Sequence, residues 1–221
     1  MALYALSDFH LSIGVKEKPM DIFGTSWRGY MEKIKKNCEN LLTDQDMLLI
    51  AGDISWATHT QQAIADLSFI QQLPGKKIIS RGNHDYWWTT ASKLNQLKAA
   101  EKLSSIEFLH NNFFVFDSTA ICGNRGWTYA QTPEDQKIYA RELVRLELSL
   151  SAAQKEGYHN KIVMTHYPPA LSNDCPDDAI LSLFHKYHVS QCIYGHLHNT
   201  RPGEALEGVY EGIRFRLTSA D

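Results

Sequence analysis

Carboxylates, imidazoles and one carboxamide recur at five places in this chain of 221 residues. They are Asp8-Phe9-His10, Gly52-Asp53, Gly82-Asn83-His84-Asp85, Thr165-His166 and Gly195-His196-Leu197-His198. Oxygen and imidazole nitrogen are borderline-to-hard donors. They suit Zn, Mn, Fe, Ni or Co rather than Cu(I) or an iron–sulfur cluster, and no cysteine falls among them. One mononuclear site takes about four protein ligands or fewer. Asp8, His10, Asp53, Asn83, His166, His196 and His198 are too many for one ion. Two divalent ions sharing a carboxylate accommodate them, with Asp53 as the natural bridge. Such pairs sit roughly 3.5–4 Å apart and drive in-line displacement at phosphorus.

Short apolar runs precede most of these motifs: Ala2 to Leu6, Met47 to Ala51, Lys77 to Ser80, Lys161 to Met164 and Gln191 to Tyr194. Runs of this length and composition read as buried strands. In open α/β sheets ligands sit at the carboxyl ends of strands, so the motifs are expected along the same edge of one sheet. Helices are predicted over Arg28 to Leu42, Thr60 to Leu73 and Thr89 to Lys102, and a shorter one near Asp177 to Tyr187. A long helix over Pro133 to about Lys155 begins with Pro and carries Glu134 and Asp135 in its first turn, as helix N-termini prefer. Strands are expected at Ile106 to Leu109, Phe113 to Phe116 and Thr119 to Cys122, with Asn111 and Asn112 in a hairpin turn. Ala205 to Tyr210 and Ile213 to Thr218 read as a hairpin turned at Glu211-Gly212. Motifs running from residue 8 to residue 198 imply a single domain over 1–221.

The ordered set Asp-x-His, Gly-Asp, Gly-Asn-His-Asp, lone His and Gly-His-x-His resembles the calcineurin-like metallophosphoesterase superfamily. The resemblance spans residues 8 to 198. It implies an α/β fold, a four-layer α/β/β/α sandwich, holding a binuclear metal centre. Carried over residue by residue, Asp8, His10, Asp53 and His198 would hold one ion, and Asp53, Asn83, His166 and His196 the other. His84 would be left for chemistry at the leaving group. One departure is plain. Serine/threonine protein phosphatases of the superfamily extend Gly-Asp with a further Asp-Arg-Gly, whereas Gly52-Asp53 here runs into Ile54-Ser55-Trp56-Ala57.

The implied activity is phosphoester hydrolysis, of a monoester or a diester; the alternatives are a serine/threonine-type protein phosphatase or nuclease, or a non-catalytic binding module on the same fold. Two metals lower the pKa of a bound water towards neutrality for in-line attack at phosphorus and stabilise developing charge, while His84 assists the leaving oxygen. Asp85 fits two roles, partner of His84 or N-cap of the following helix. Gly82 and Gly195 read as turn glycines that let ligands converge. Arg125 and Trp127, within Asn124-Arg125-Gly126-Trp127-Thr128-Tyr129, are candidates for gripping a phosphate oxygen and stacking on a flat group, against a structural reading of the same loop. Trp87 and Trp88 are candidates for the pocket rim or the core. His59, His110, His159, His185 and His188 match no motif and read as structural.

Composition narrows the partners. A hydrophobic share of 43% is ordinary for a globular protein. A formal net charge of −3 gives no support for broad nucleic-acid binding; a small phosphorylated substrate fits better. Cys38, Cys122, Cys175 and Cys192 have no Cys-x-x-Cys spacing and read as reduced packing residues of a cytoplasmic protein. The N-terminus does not read as a signal peptide, and no apolar run approaches the roughly 20 residues that span a bilayer.

Overall fold

A computed structural model describes residues 1–15, 18–127, 131–172 and 175–221. The first half alternates strand and helix: β1 (Leu3–Ala5), α1 (Tyr30–Leu41), β2 (Met47–Ile50), α2 (Thr60–Gln72), β3 (Lys76–Ser80), α3 (Ala91–Ala100) and β4 (Ile106–Leu109). These strands form a parallel sheet in the order β1-β2-β3-β4. The second half supplies β5 (Phe113–Phe116), β6 (Thr119–Gly123), α4 (Pro133–Lys155), β7 (Asn160–Met164), the short pair β8 (Ala170–Ser172) and β9 (Cys175–Pro176), α5 (Asp178–Lys186), β10 (Val189–Tyr194), β11 (Gly208–Tyr210) and β12 (Ile213–Leu217). Its main sheet has the order β11-β12-β10-β7-β6-β5, parallel through β12, β10, β7 and β6 and antiparallel at both edges.

Strand alternation sorts the apolar residues into three cores, because successive side chains point to opposite faces. Leu48, Ile50 and Ile79 pack outward with Ile34, Leu67 and Leu94 of the first three helices. Cys122, Val163 and Cys192 pack with Leu146, Leu150 and Phe184 of α4 and α5. Between the sheets lie Leu49, Ile78, Leu109, Ile121, Met164 and Ile193. Three cores separate four layers, so the fold is the α/β/β/α sandwich.

Local chemistry fixes the helix starts. Thr132 and Asp135 form a reciprocal capping box at α4. The Asp177 carboxylate accepts from Ala179 N at 3.0 Å and Ile180 N at 3.1 Å at α5. Thr90 caps α3, so Asp85 is not the cap of that helix.

Two expectations about connectivity are corrected. The motif strands belong to two sheets, β1, β2 and β3 to one and β7 and β10 to the other. Their carboxyl ends share one edge of the sandwich because the sheets are stitched there: Ser7 N donates to Thr218 O at 2.6 Å, and the two hydroxyls meet at 2.6 Å. Nor do Asn111 and Asn112 close a hairpin. Their turn carries the chain from β4 in one sheet to β5 in the other, with Asn111 left-handed at φ 65° and Asn112 Oδ1 accepting from His110 N at 2.7 Å. The antiparallel return follows instead between β5 and β6.

Among the described residues, no helix is long and apolar enough to cross a membrane.

Candidate metal centre

Each motif begins just past the end of a strand, where the backbone must turn sharply to aim its side chains at one point. Asp8, His10, Asp53 and His196 all have left-handed backbones, with φ of 59°, 45°, 50° and 75°. Such geometry costs of order 1–3 kcal/mol per non-glycine residue and persists only where the surroundings impose it. Fully buried Phe9 packs into the core beneath α1 and α2 and anchors the turn between Asp8 and His10.

The motif glycines make room. A Cβ on Gly82 would lie 2.0 Å from Asp53 Oδ1, and one on Gly195 would lie 2.3 Å from Asp8 Oδ2. Neither has positive φ, so each is needed for close approach rather than for turn freedom. Gly52 needs both, at φ 89° and with His166 Nδ1 2.7 Å from where its Cβ would sit.

The seven residues expected to ligate metal are brought together. Asp53 Oδ2 stands 3.6 Å from His10 Nε2 and 3.6 Å from His166 Nε2. His10 Nε2 and His198 Nε2 are 3.1 Å apart, and Asp8 Oδ1 is 3.7 Å from His198 Nε2. Asn83 Oδ1 lies 2.7 Å from His166 Nε2 and 2.9 Å from His196 Nδ1. Two groupings compact enough to hold a cation emerge, Asp8 with His10 and His198, and Asp8 with Asp53 and His166.

Protonation tests whether cations fit. His166 Nδ1 is 2.9 Å from the carbonyl of Ala51, which can only accept, so this nitrogen carries the proton. His198 Nδ1 is likewise 2.9 Å from Asp221 Oδ1. Neutral and held in this tautomer, His166 turns its Nε2 lone pair inward, towards Asp53 Oδ2 and Asn83 Oδ1. Acceptors then face acceptors, an arrangement that cations between them satisfy. Burial lowers three of the imidazoles, pushing His10 down to about 3, His196 down to about 4 and His166 below its ordinary value, whereas at His198 the hydrogen bond to Asp221 and the charge of Asp8 outweigh burial and raise it. Burial, and then the neighbouring Asp53, drives Asp8 well above the usual carboxylate range. The donor set therefore fits divalent metal.

The other candidates separate. The ring of His84 lies 4.5 Å from that of Trp56 and 5.6 Å from that of His10, and it makes no side-chain hydrogen bond to the described residues. Asp85 does not meet that ring. Its Oδ1 accepts from Ile54 N at 2.9 Å, Ser55 N at 3.1 Å and Trp87 Nε1 at 2.9 Å, and its Oδ2 from Gly82 N at 2.7 Å. It holds the metal loops in place. Arg125 lines a cavity beside the centre and sits 5.0 Å over the ring of Trp127. Trp127 packs 5.0 Å from Tyr167, whose ring is 4.5 Å from His196. Thr128 and Tyr129 lie outside the described residues. Trp87 and Trp88 are core residues, 1% and 6% exposed.

Sequence reading missed three neighbours. Asp221 orients His198. Trp56 stacks on His10 at 5.0 Å, and Trp27 lies 5.8 Å from His198. Trp56 occupies the stretch where the protein phosphatases' Asp-Arg-Gly extension is absent, a substitution visible in the sequence. Asp221 lies far from every motif and left no such trace.

The family model for calcineurin-like phosphoesterases matches residues 1–200. The chain belongs to this family. No match was found among curated protein sequences. Solved structures with a similar fold include the phosphopantetheinyl hydrolase of Mycobacterium tuberculosis, at TM-score 0.58 and 17% identity, covering 98% of this chain and 88% of that one. TT1561 of Thermus thermophilus aligns at TM-score 0.60 and 12% identity, covering 96% and 86%. AQ665 of Aquifex aeolicus, a protein of unknown function, aligns at TM-score 0.52 and 16% identity, covering 99% and 90%. At these identities the likeness is one of fold.

Proposed function

We propose that this calcineurin-like phosphoesterase hydrolyses a small phosphorylated substrate at a centre of two divalent ions. The observation that carries this reading is the position of Asp53 Oδ2, equidistant from His10 Nε2 and His166 Nε2. Asp8, His10 and His198 would complete one ion's shell beside Asp53, and Asn83, His166 and His196 the other's. Bound there, divalent ions would activate water for attack at phosphorus and offset charge on the phosphoryl oxygens.

The chain's own residues supply the rest. Ala51 and Asp221 hold the tautomers of His166 and His198. Asp85 fixes Gly82, Ile54 and Ser55, and so the loops bearing Asn83 and Asp53. His84 sits at the rim with its backbone N donating to Asp53 Oδ1 at 2.8 Å. Its ring, free of hydrogen bonds to the described residues, donates a proton to the departing oxygen or stabilises it. Arg125 meets an anionic part of the substrate, and Trp127 covers the side of the site formed by Tyr167 and His196.

The reading is tested by turnover of p-nitrophenyl phosphate and bis(p-nitrophenyl) phosphate after loading with Mn, Fe, Zn, Ni or Co in turn. At least one ester is hydrolysed with one of these metals, and Asp53→Asn abolishes it. Absence of turnover with every metal would refute the proposal.

A further inference from the structure

A cavity of about 490 Å³ opens one strand over from the metal centre. Its walls are the carboxyl ends of β3, β4 and β6, together with α4. The backbone links its wall to the loops of the centre. Arg81 directly precedes the Gly82-Asn83 loop, and the carbonyl of Arg125 accepts from His166 N and Tyr167 N, each at 3.0 Å. Its volume falls within the roughly 300–1,000 Å³ of small-molecule sites.

Four guanidiniums line this cavity, those of Arg81, Arg125, Arg141 and Arg145, against one carboxylate, that of Glu142. That carboxylate is already committed. Glu142 Oε1 pairs with Arg145 at 2.6 Å and with Arg141 at 3.8 Å, and Oε2 accepts from Asn124 Nδ2 at 2.9 Å. Arg81 and Arg125 have no carboxylate partner among the described residues. Arg81 Nε is buried and unbonded. So is Asn124 Oδ1, an assignment fixed because Nδ2 faces two acceptors, the carboxylate and the carbonyl of Glu142. Two guanidiniums without a counterion, a buried guanidinium N–H without an acceptor and a buried amide oxygen without a donor favour an anionic group in the space between them. A phosphoryl group fits there, since guanidinium matches phosphate oxygens in paired hydrogen bonds, and a P–OH or a neighbouring hydroxyl of the substrate can donate to Asn124 Oδ1.

Resting on the hydrolase reading above, we infer that the substrate carries a second phosphoryl or pyrophosphoryl group, bound in this arginine cavity while the scissile ester lies at the metal centre. The substrate class is thus a doubly phosphorylated metabolite rather than a simple monoester.

Two measurements test this. Metal-stripped protein, kept in chelator, is titrated calorimetrically with inorganic pyrophosphate, which then has no metal centre to bind. One equivalent binds, and Arg125→Ala and Arg141→Ala each weaken it about tenfold or more, the loss of one charged contact. Arg141 is the safer variant, because its side chain is 54% exposed, and both are checked by circular dichroism. With metal restored, adenosine 3′,5′-bisphosphate is preferred to adenosine 5′-monophosphate in kcat/KM, and the same substitutions shrink that preference. Absence of pyrophosphate binding, binding indifferent to both substitutions, or equal turnover of the two nucleotides would each overturn the inference. Arginine-dependent pyrophosphate binding without turnover of any ester would instead remove the hydrolase reading and leave the anion site standing.

Discussion

Asp53 and Asp85 clasp each other's loops. Asp53 Oδ1 accepts from His84 N at 2.8 Å, on the loop after β3, and Asp85 Oδ1 accepts from Ile54 N and Ser55 N at 2.9 and 3.1 Å, on the loop after β2. Each carboxylate thus fixes the backbone that carries the other, and the separation of Asn83 from Asp53 is set by this exchange. Buried backbone donors left unpaired cost about 1–3 kcal/mol each. Asp85→Ala orphans Gly82, Ile54 and Ser55 N–H together with the Trp87 indole. It should lower stability by at least about 3 kcal/mol in urea unfolding, with Asp85→Asn less severe because one carbonyl oxygen remains. A loss below about 1 kcal/mol for the alanine variant would show that the clasp is not structural.

Asp221 Oδ1 lies 2.9 Å from His198 Nδ1 and would act on a bound metal through that ring. Partners that fix a ligating imidazole typically change metal affinity by about 10–100-fold. Asp221→Ala should weaken Mn binding by that factor in a competition titration while leaving the unfolding midpoint nearly unchanged. Unaltered affinity would mean that the His198 tautomer is held by something else.

His84 separates chemistry from metal binding. His84→Ala should retain fold and metal and lose about 10²- to 10⁴-fold in kcat with an alkyl phosphate ester, the usual contribution of a general acid. With p-nitrophenyl phosphate, whose leaving group needs little protonation, the loss should be smaller. Equal losses would assign His84 to charge stabilisation instead, and loss of metal would make it a ligand.

Lys77 gives a pH signature remote from the centre. Its ammonium caps the end of α2, donating to Gly75 O at 2.8 Å and to Leu73 O at 2.5 Å, and the residue is fully buried. Burial lowers its pKa to about 8 from an ordinary 10.5. Between these values the unfolded chain binds more protons than the folded one, so Lys77's contribution to stability rises with pH. The difference in stability between wild type and Lys77→Met should grow from about pH 8 to pH 10.5. A flat difference would place the folded pKa near its ordinary value.

Most of this architecture is legible in the residues because the signals are local. The apolar runs mark the strands to within a residue or two, and Pro133 with its acidic first turn marks α4. The ordered motifs mark the Asp, Asn and His side chains gathered around Asp53, though not Trp27, Trp56 or Asp221 beside them. What escapes depends on contacts distant in sequence. Nothing near Asn111 shows that β4 and β5 lie in different sheets, since a turn and a crossover use the same residues. Asp85 reads as a partner of its neighbour His84, whereas its partners Ile54 and Ser55 come from another loop. Asp221 reaches His198 only after β12 aligns beside β10.

The central claim is the paired metal site, and metal content tests it most directly. Protein dialysed with Mn and freed of excess should contain close to two equivalents per chain by elemental analysis. Asp53→Asn should lower both, and Asp8→Asn chiefly one. Saturation at one equivalent, with His10→Ala and His198→Ala leaving it unchanged, would contradict the binuclear account.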